Sequence, residues 1–396
     1  MVLTQQTGLR LLLSARDTGS VGHVQAILDE AAHHPWLDVI VYADGSALKE
    51  LEKKYRSIGR FALSATDAPS ADYAFRMVSE ARRIIEIEKP DAVLVGVSHC
   101  NEAGLDEAFL AAAFDRPRFA IQDFWGDVNL TLGTGAEMYF ALDEVAVRLT
   151  ASRHGMAAIA CGSAKHQRYG SLNVGALRFS ARNQLGIHSG RTVVGYFGQS
   201  LAHLSGYDSL LRTFARTVAA IGGDVSLIYR PHPRESDAKI ARTLACFYEG
   251  GGIQAALVKE GVTESWLAAS DVVVSCFSSC AYDAAFLNRF SSVPINSAIY
   301  LLFDESVAEY FRTVTGLDVP PPAELGLVTA VLDEQVLDGA LRGAMSLERK
   351  KETWRLAQQH LPDPVNAARK TLEVIRRRVY RMTAKGSNFE AGSYGS

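Results

Sequence analysis

Short apolar runs alternating with longer amphipathic stretches set the rhythm of this chain. In the first half, apolar residues at 9–13, 39–42, 92–97, 119–121, 138–142 and 157–161 come in brief blocks bounded by polar turns. Runs of that length read as strands buried on both faces. Between them, the stretches at 21–32, 47–55, 73–88 and 102–114 carry apolar residues at helical spacing. Strand and helix in alternation predict parallel βα units.

From 162 to 190 the chain is rich in Gly, Ser, Asn and basic residues with little apolar periodicity, which predicts a junction between domains. A second series follows, with strands at 192–197, 225–229, 254–258, 271–275 and 292–295 and helices at 207–221, 235–247, 263–269 and 279–287. Val319-Pro320-Pro321-Pro322 interrupts it before two more helical stretches, and a last helix is expected from Val365 to about Arg381. The predicted fold class is α/β, with two Rossmann-like, doubly wound domains facing a cleft. Residues 1–175 are expected to form the first domain and 176–362 the second. Residues 363–382 are expected as a helix packing back toward the first domain, and the Gly- and Ser-rich 383–396 as a disordered tail.

Composition narrows the class. A chain of 396 residues exceeds one ordinary core, and 48% apolar content excludes a disordered protein. A net charge of -3 supplies no global field for nucleic acid, so no nucleic-acid partner is expected. The N-terminal stretch has no basic segment leading into a long apolar region, and no run reaches bilayer-spanning length, so the expectation is a cytoplasmic protein. The five cysteines, Cys100, Cys161, Cys246, Cys276 and Cys280, form no Cys-x-x-Cys pair and have the spacing of neither a disulfide framework nor a structural zinc site.

Candidate chemistry sits where apolar runs end. Val225–Ile228 leads into Tyr229-Arg230-Pro231-His232-Pro233-Arg234, and Val272–Val274 into Ser275-Cys276-Phe277-Ser278-Ser279-Cys280. With the usual strand order 3-2-1-4-5, the loops after strands 1, 2 and 4 meet at the topological switch point. These are Gly198-Gln199-Ser200, the His232 loop and the Ser278-Ser279 loop. Their hydroxyls, imidazole and free N–H groups at a helix start suit a phosphate, each such hydrogen bond being worth about 1.5–3 kcal/mol. Arg230 and Arg234 read equally as phosphate donors or solvated charges. Ser279 alone reads as a helix cap and His232 alone as a turn residue; their pairing in neighbouring loops favours a ligand.

The bipartite βα architecture, the linker and the final helix resemble a GT-B fold glycosyltransferase. More narrowly, His232-Pro233 and Ser278-Ser279 resemble the two signature motifs of bacterial sialyltransferases and capsule Kdo transferases. The resemblance implies that His232 contacts the donor phosphate and assists its departure, and that both serines bind the phosphate. Ser-Ser followed by Asp283 also looks like CDP-glycerol polymer-forming transferases and UDP-sugar enzymes of this fold, which implies ribose binding by Asp283. The loop Ser14-Ala15-Arg16-Asp17-Thr18-Gly19-Ser20-Val21-Gly22-His23 is similar to the first loop of lipid-linked N-acetylglucosaminyl transfer enzymes, with Gly19 and Gly22 admitting a ligand or merely a tight turn.

Direct displacement at a sugar needs a general base on the acceptor hydroxyl. The candidate segment is Ile121-Gln122-Asp123-Phe124-Trp125-Gly126-Asp127. The sialyltransferase-like pattern of two acids followed by Gly is broken by Gln122 and Phe124, so Asp123 inherits the role, with Asp127 next and Asp17 or His23 behind. No Asp-x-Asp triplet occurs, in keeping with transfer that needs neither metal nor cofactor. The expected activity is inverting transfer of a CMP-linked nonulosonic acid or Kdo to a glycan, lipid-linked or protein hydroxyl. The alternatives are a UDP-sugar or CDP-glycerol-type transferase, a non-hydrolysing UDP-sugar 2-epimerase, and a non-catalytic binding module. The basic final helix, with Arg369, Lys370, Arg376, Arg377, Arg378, Arg381 and Lys385, suits either packing on the first domain or contact with anionic lipid at the inner face of a membrane.

Overall fold

The structure is a computed structural model and describes residues 8–97, 102–188 and 190–390. The chain divides into two compact units, Met1–Gln167 with Pro362–Ser396, and Arg168–Leu361. The division falls a little before residue 175, and the final helix belongs with the first unit.

In the first unit the strands are β1 (Leu9–Ala15), β2 (Leu37–Ala43), β3 (Ile58–Arg60), β4 (Thr66–Asp67), β5 (Ala92–Gly96), β6 (Glu102–Ala103), β7 (Arg118–Ile121), β8 (Met138–Ala141) and β9 (Ala158–Ala160). Seven of them form a sheet in the order β3-β2-β1-β5-β7-β8-β9, and every pairing in it is parallel. Strands β4 and β6 make a separate antiparallel pair.

Successive strand residues point to opposite faces, and the two cores of this unit follow that alternation. Leu9, Leu11 and Leu13 of β1 and Leu94 of β5 join a cluster with Val21, Val24 and Ile27 of α1 (Thr18–Ala31). Leu12, Val93 and Val95 face the other way, into a cluster with residues of α2's successors along the chain. After α2 (Gly45–Leu51) these are α3 (Ala71–Glu88), which supplies Met77, Ala81, Ile84 and Ile85, and α4 (Leu105–Ala112), which supplies Leu105, Ala108 and Phe109. Both faces of the sheet are therefore covered, as a parallel sheet requires. α5 (Glu144–His154) follows β8. The final helix, Ala367–Glu390, adds Ala368, Leu372, Ile375 and Val379 to the first cluster. It is helical to Glu390, so it enters the stretch expected as a tail; residues 391–396 lie outside the described residues. Its basic face is also more paired than expected: Arg369 meets Glu30 at 3.0 Å, Arg378 meets Glu137 at 3.6 Å, and Arg376 lies over the Trp36 ring.

The second unit holds β10 (Thr192–Phe197), β11 (Val225–Arg230), β12 (Ala256–Leu257), β13 (Val272–Ser275), β14 (Ser297–Leu301) and β15 (Thr329–Val331) in the parallel order β12-β11-β10-β13-β14-β15. The predicted 3-2-1-4-5 order holds, with a sixth strand appended. β14 lies beyond the predicted 292–295 because Pro294 cannot donate to a ladder, and the Ile295 N–H is taken by the Asn288 side chain at 3.0 Å. The expected junction contains a helix, α6 (Val174–Gln184), whose Arg178 and Arg182 clasp Asp271 at the start of β13. The remaining helices that position the site are α7 (Tyr207–Ile221), α8 (Asp237–Gly251), α9 (Thr263–Ala269) and α10 (Cys280–Phe290). Among the described residues no helix is long and apolar enough to cross a membrane.

Candidate active site residues in each unit

In the second unit the loops leaving β10, β11 and β13 converge as the strand order dictates. Phe277 N–H donates to Gln199 Oε1 at 2.8 Å, tying the β13 loop to the β10 loop. A Cβ on Gly198 would fall 2.6 Å from Glu235 Oε2 and 3.3 Å from the His232 nitrogen, so glycine is needed there to let the β11 loop come close. Ser200 follows in the same loop. Gly198, Gln199, His232 and the start of α10 are thus brought together.

The serines divide their roles. Ser278 Oγ accepts from Cys280 N–H at 3.2 Å and so caps α10, while Ser279 takes helical dihedrals and makes no side-chain cap bond. Ser278 keeps its own O–H as a donor, and the helix N-terminus adds a favourable field for an anion. Asp283 lies in the first turn of α10, half-buried, near Tyr169 and Tyr300. At His232, the Arg234 N–H donates to Nδ1 at 3.2 Å. A ring nitrogen that accepts carries no proton, which places the imidazole N–H at Nε2.

Arg230 closes β11. Its guanidinium reaches the carbonyls of Val258, Lys259, Glu260 and Gly261, at 3.0, 2.5, 3.0 and 2.9 Å. It clasps the β12 loop, whose exposed carbonyls match its planar fork of donors.

In the first unit the segment after β7 gathers carboxylates. The buried Gln122 donates to the Asp127 carbonyl and to Thr150 Oγ1, both at 2.8 Å, and the Trp125 indole N–H donates to Asp143 at 2.9 Å. Gly126 turns the chain with φ +67. Asp123, whose side chain is 17% exposed, receives Lys165 Nζ at 2.8 Å and His23 Nε2 at 3.2 Å on one oxygen. Burial raises its affinity for a proton, but the Lys165 ammonium and the His23 hydrogen bond outweigh burial and hold it below the ordinary carboxylate range. Asp127 goes the other way. Burial first, then the charges of Asp123 and Asp17, push it up to about 7. The two carboxyls thus differ in proton affinity, as candidate acid–base groups do.

Gly19 and Gly22 lie on α1, and the space a Cβ would need is taken by protein. At Gly19 it would meet Asp123 Oδ2 at 2.5 Å, and at Gly22 the Lys165 Cβ at 2.7 Å. Their smallness seats Asp123 and Lys165 against the helix. Lys165 went unnoticed in the sequence because it lies in a polar 3-10 segment, Ala164–Ser171, within the stretch that reads as a junction. A second cluster also escaped notice. Arg16, 2% exposed, pairs with Glu102 at 2.8 Å and Glu107 at 3.6 Å, while Ser14 donates to Asp106 at 2.5 Å. Burial pushes Glu107 up to about 8 against the pull of Arg16. Among the described residues no group of three or more His, Cys, Asp or Glu is arranged to hold a metal ion.

No protein-family model matches the chain, and no curated protein matches it. Solved structures do. Staphylococcus aureus MnaA with UDP superposes with a TM-score of 0.67 at 12% identity, covering 94% of this chain and 97% of that one. The Neisseria meningitidis UDP-GlcNAc 2-epimerase bound to UDP-GlcNAc gives 0.67 at 13% identity, with 93% and 100% covered. Acinetobacter baumannii MurG gives 0.56 at 13%, with 93% and 99% covered. The fold is of the GT-B type. At such identities the GT-B likeness speaks for architecture, and it extends to epimerases and glycosyltransferases alike.

Proposed function

We propose that the protein acts on a UDP-linked sugar and inverts the carbon next to the anomeric centre, the reaction named for its 2-epimerase neighbours. What supports this is the likeness to 2-epimerase structures, together with the carboxyls of the first unit, Asp123 ion-paired with Lys165 at 2.8 Å and Asp127 pushed up to about 7 by burial and the charges of Asp123 and Asp17. The C2 hydrogen of a glycosyl nucleotide is not acidic in the way a carbon acid beside a carbonyl is. Inversion there goes by elimination: a base removes the C2 proton, the C1–O bond breaks with its electron pair leaving on the diphosphate, and a C1–C2 double bond forms. The reverse addition rebuilds C1–O and delivers a proton to the other face of C2. The cycle needs one ionised and one protonated group, whereas inverting transfer to a hydroxyl needs a base alone. In this proposal Asp123 and Asp127 are that pair, and His232, Ser278 and the α10 N-terminus stabilise the departing diphosphate. Asp283 fits the ribose.

The His-Pro and Ser-Ser motifs account for a phosphate and do not select a base. The CMP-linked nonulosonate or Kdo donor expected from them therefore gives way to UDP, which two of the neighbours hold. A second reading, transfer of a sugar from UDP to a hydroxyl with Asp123 as base, is favoured by the likeness to MurG. Incubation with UDP-N-acetylglucosamine and no acceptor, followed by chromatography, separates them. The proposal expects a second UDP-sugar to accumulate to equilibrium. Unchanged UDP-sugar, consumed only when an acceptor is added, would establish transfer instead.

A further inference from the structure

Glu235 entered the sequence reading only as the first residue of a helix, yet it closes the His232 loop from two sides. His232 N–H donates to Glu235 Oε2 at 2.6 Å, and Glu235 N–H returns a bond to the His232 carbonyl at 2.9 Å. The four residues His232-Pro233-Arg234-Glu235 form a turn whose second position is the proline that favours it. The same oxygen accepts from the Tyr229 hydroxyl at 3.1 Å and occupies the space beside Gly198. One carboxyl oxygen thus joins the end of β11, the loop after β10 and the backbone of His232. Within this turn the Arg234 N–H meets His232 Nδ1.

We propose that Glu235 is a positioning residue: by clamping the turn it holds the Arg234 N–H on Nδ1 and so fixes the imidazole proton of His232 at Nε2. Its catalytic consequence rests on the function proposed above; its effect on the imidazole does not. Replacing Glu235 by Ala removes the acceptor, Glu235→Asp keeps charge but withdraws it from reach, and Glu235→Gln keeps an acceptor oxygen in place. The test is nitrogen-15 NMR of the histidine rings in the full chain, with His232→Ala to assign the signal, alongside steady-state kinetics on a UDP-sugar. Glu235→Ala and Glu235→Asp are expected to lose the single Nε2–H tautomer at His232 and to lower kcat roughly ten- to a hundredfold, with KM changing far less. Glu235→Gln is expected to restore both. A misfolded Ala variant leaves the Asp and Gln variants to decide. An unaltered His232 signal in Glu235→Asp, or a Gln variant as impaired as the Ala one, overturns the assignment. Should the wild type show no UDP-sugar chemistry, the functional proposal falls while the ring spectra still decide what Glu235 does.

Discussion

At the carboxyl ends of its central strands the first unit gathers Asp17, Asp123 and Asp127 with Lys165 and His23, whereas the same ends in the second unit carry Gly198, Gln199, His232 and Ser278. Both sheets are parallel, and both reverse their strand order beside the first strand, between β1 and β5 and between β10 and β13. Topology therefore brings loops together in each case without choosing their chemistry. In one unit burial and mutual repulsion separate the proton affinities of two acids. In the other, neutral donors and a helix terminus converge, and the nearby carboxyl, Glu235, is itself pushed upward by burial, which moderates the negative charge beside an anion site. In the proposed reading, acid–base chemistry lies with the first unit's carboxyls and anion binding with the second unit's donors.

The sharpest way to break that separation is Asp127→Asn. The rate is expected to fall by about a hundred- to ten-thousandfold while UDP still raises the melting temperature, as checked by kinetics and thermal shift. His232→Ala comes next, with roughly a hundredfold loss of rate together with weaker stabilisation by UDP. Gly19→Ala removes no reacting group but displaces one, pushing a Cβ into Asp123 Oδ2. The rate should drop about tenfold or more with UDP binding intact, since a misplacement of about 1 Å is costly. Ser278→Ala, the mildest, should weaken UDP about tenfold, equivalent to about 1.4 kcal/mol, and loosen the cap of α10.

The sequence announced the second unit's chemistry more plainly than the first's. His232 and the serines directly follow uninterrupted apolar strands, so their place at the sheet's end could be read from periodicity alone. Asp123 and Asp127 were legible for the same reason, since both follow β7 within a few residues. Their separated proton affinities were not, because those depend on Lys165, on His23 and on burial, all contributed by other segments. The carbonyls that Arg230 meets near β12 were not legible, since a cation beside His-Pro carries no local sign of them. The short edge strands β3 and β15, three residues each, are too brief for alternation to declare itself. Glu235 gave no signal beyond a helix start, because its bonds are to backbone and to Tyr229 across a turn that only the folded chain closes.

The most direct test of the acid–base claim is proton NMR of UDP-N-acetylglucosamine incubated with the protein in heavy water, followed across pH. If Asp123 removes the C2 proton and Asp127 returns one from solvent, the C2–H signal disappears as deuterium enters, and a second anomeric signal appears. Asp127 must be protonated to donate, so the exchange rate should hold below about 7 and decline as pH rises through that value. The acid limb should lie below the ordinary carboxylate range, where Asp123 takes up its proton. Retention of the C2 proton at every pH, with UDP bound, would contradict the account.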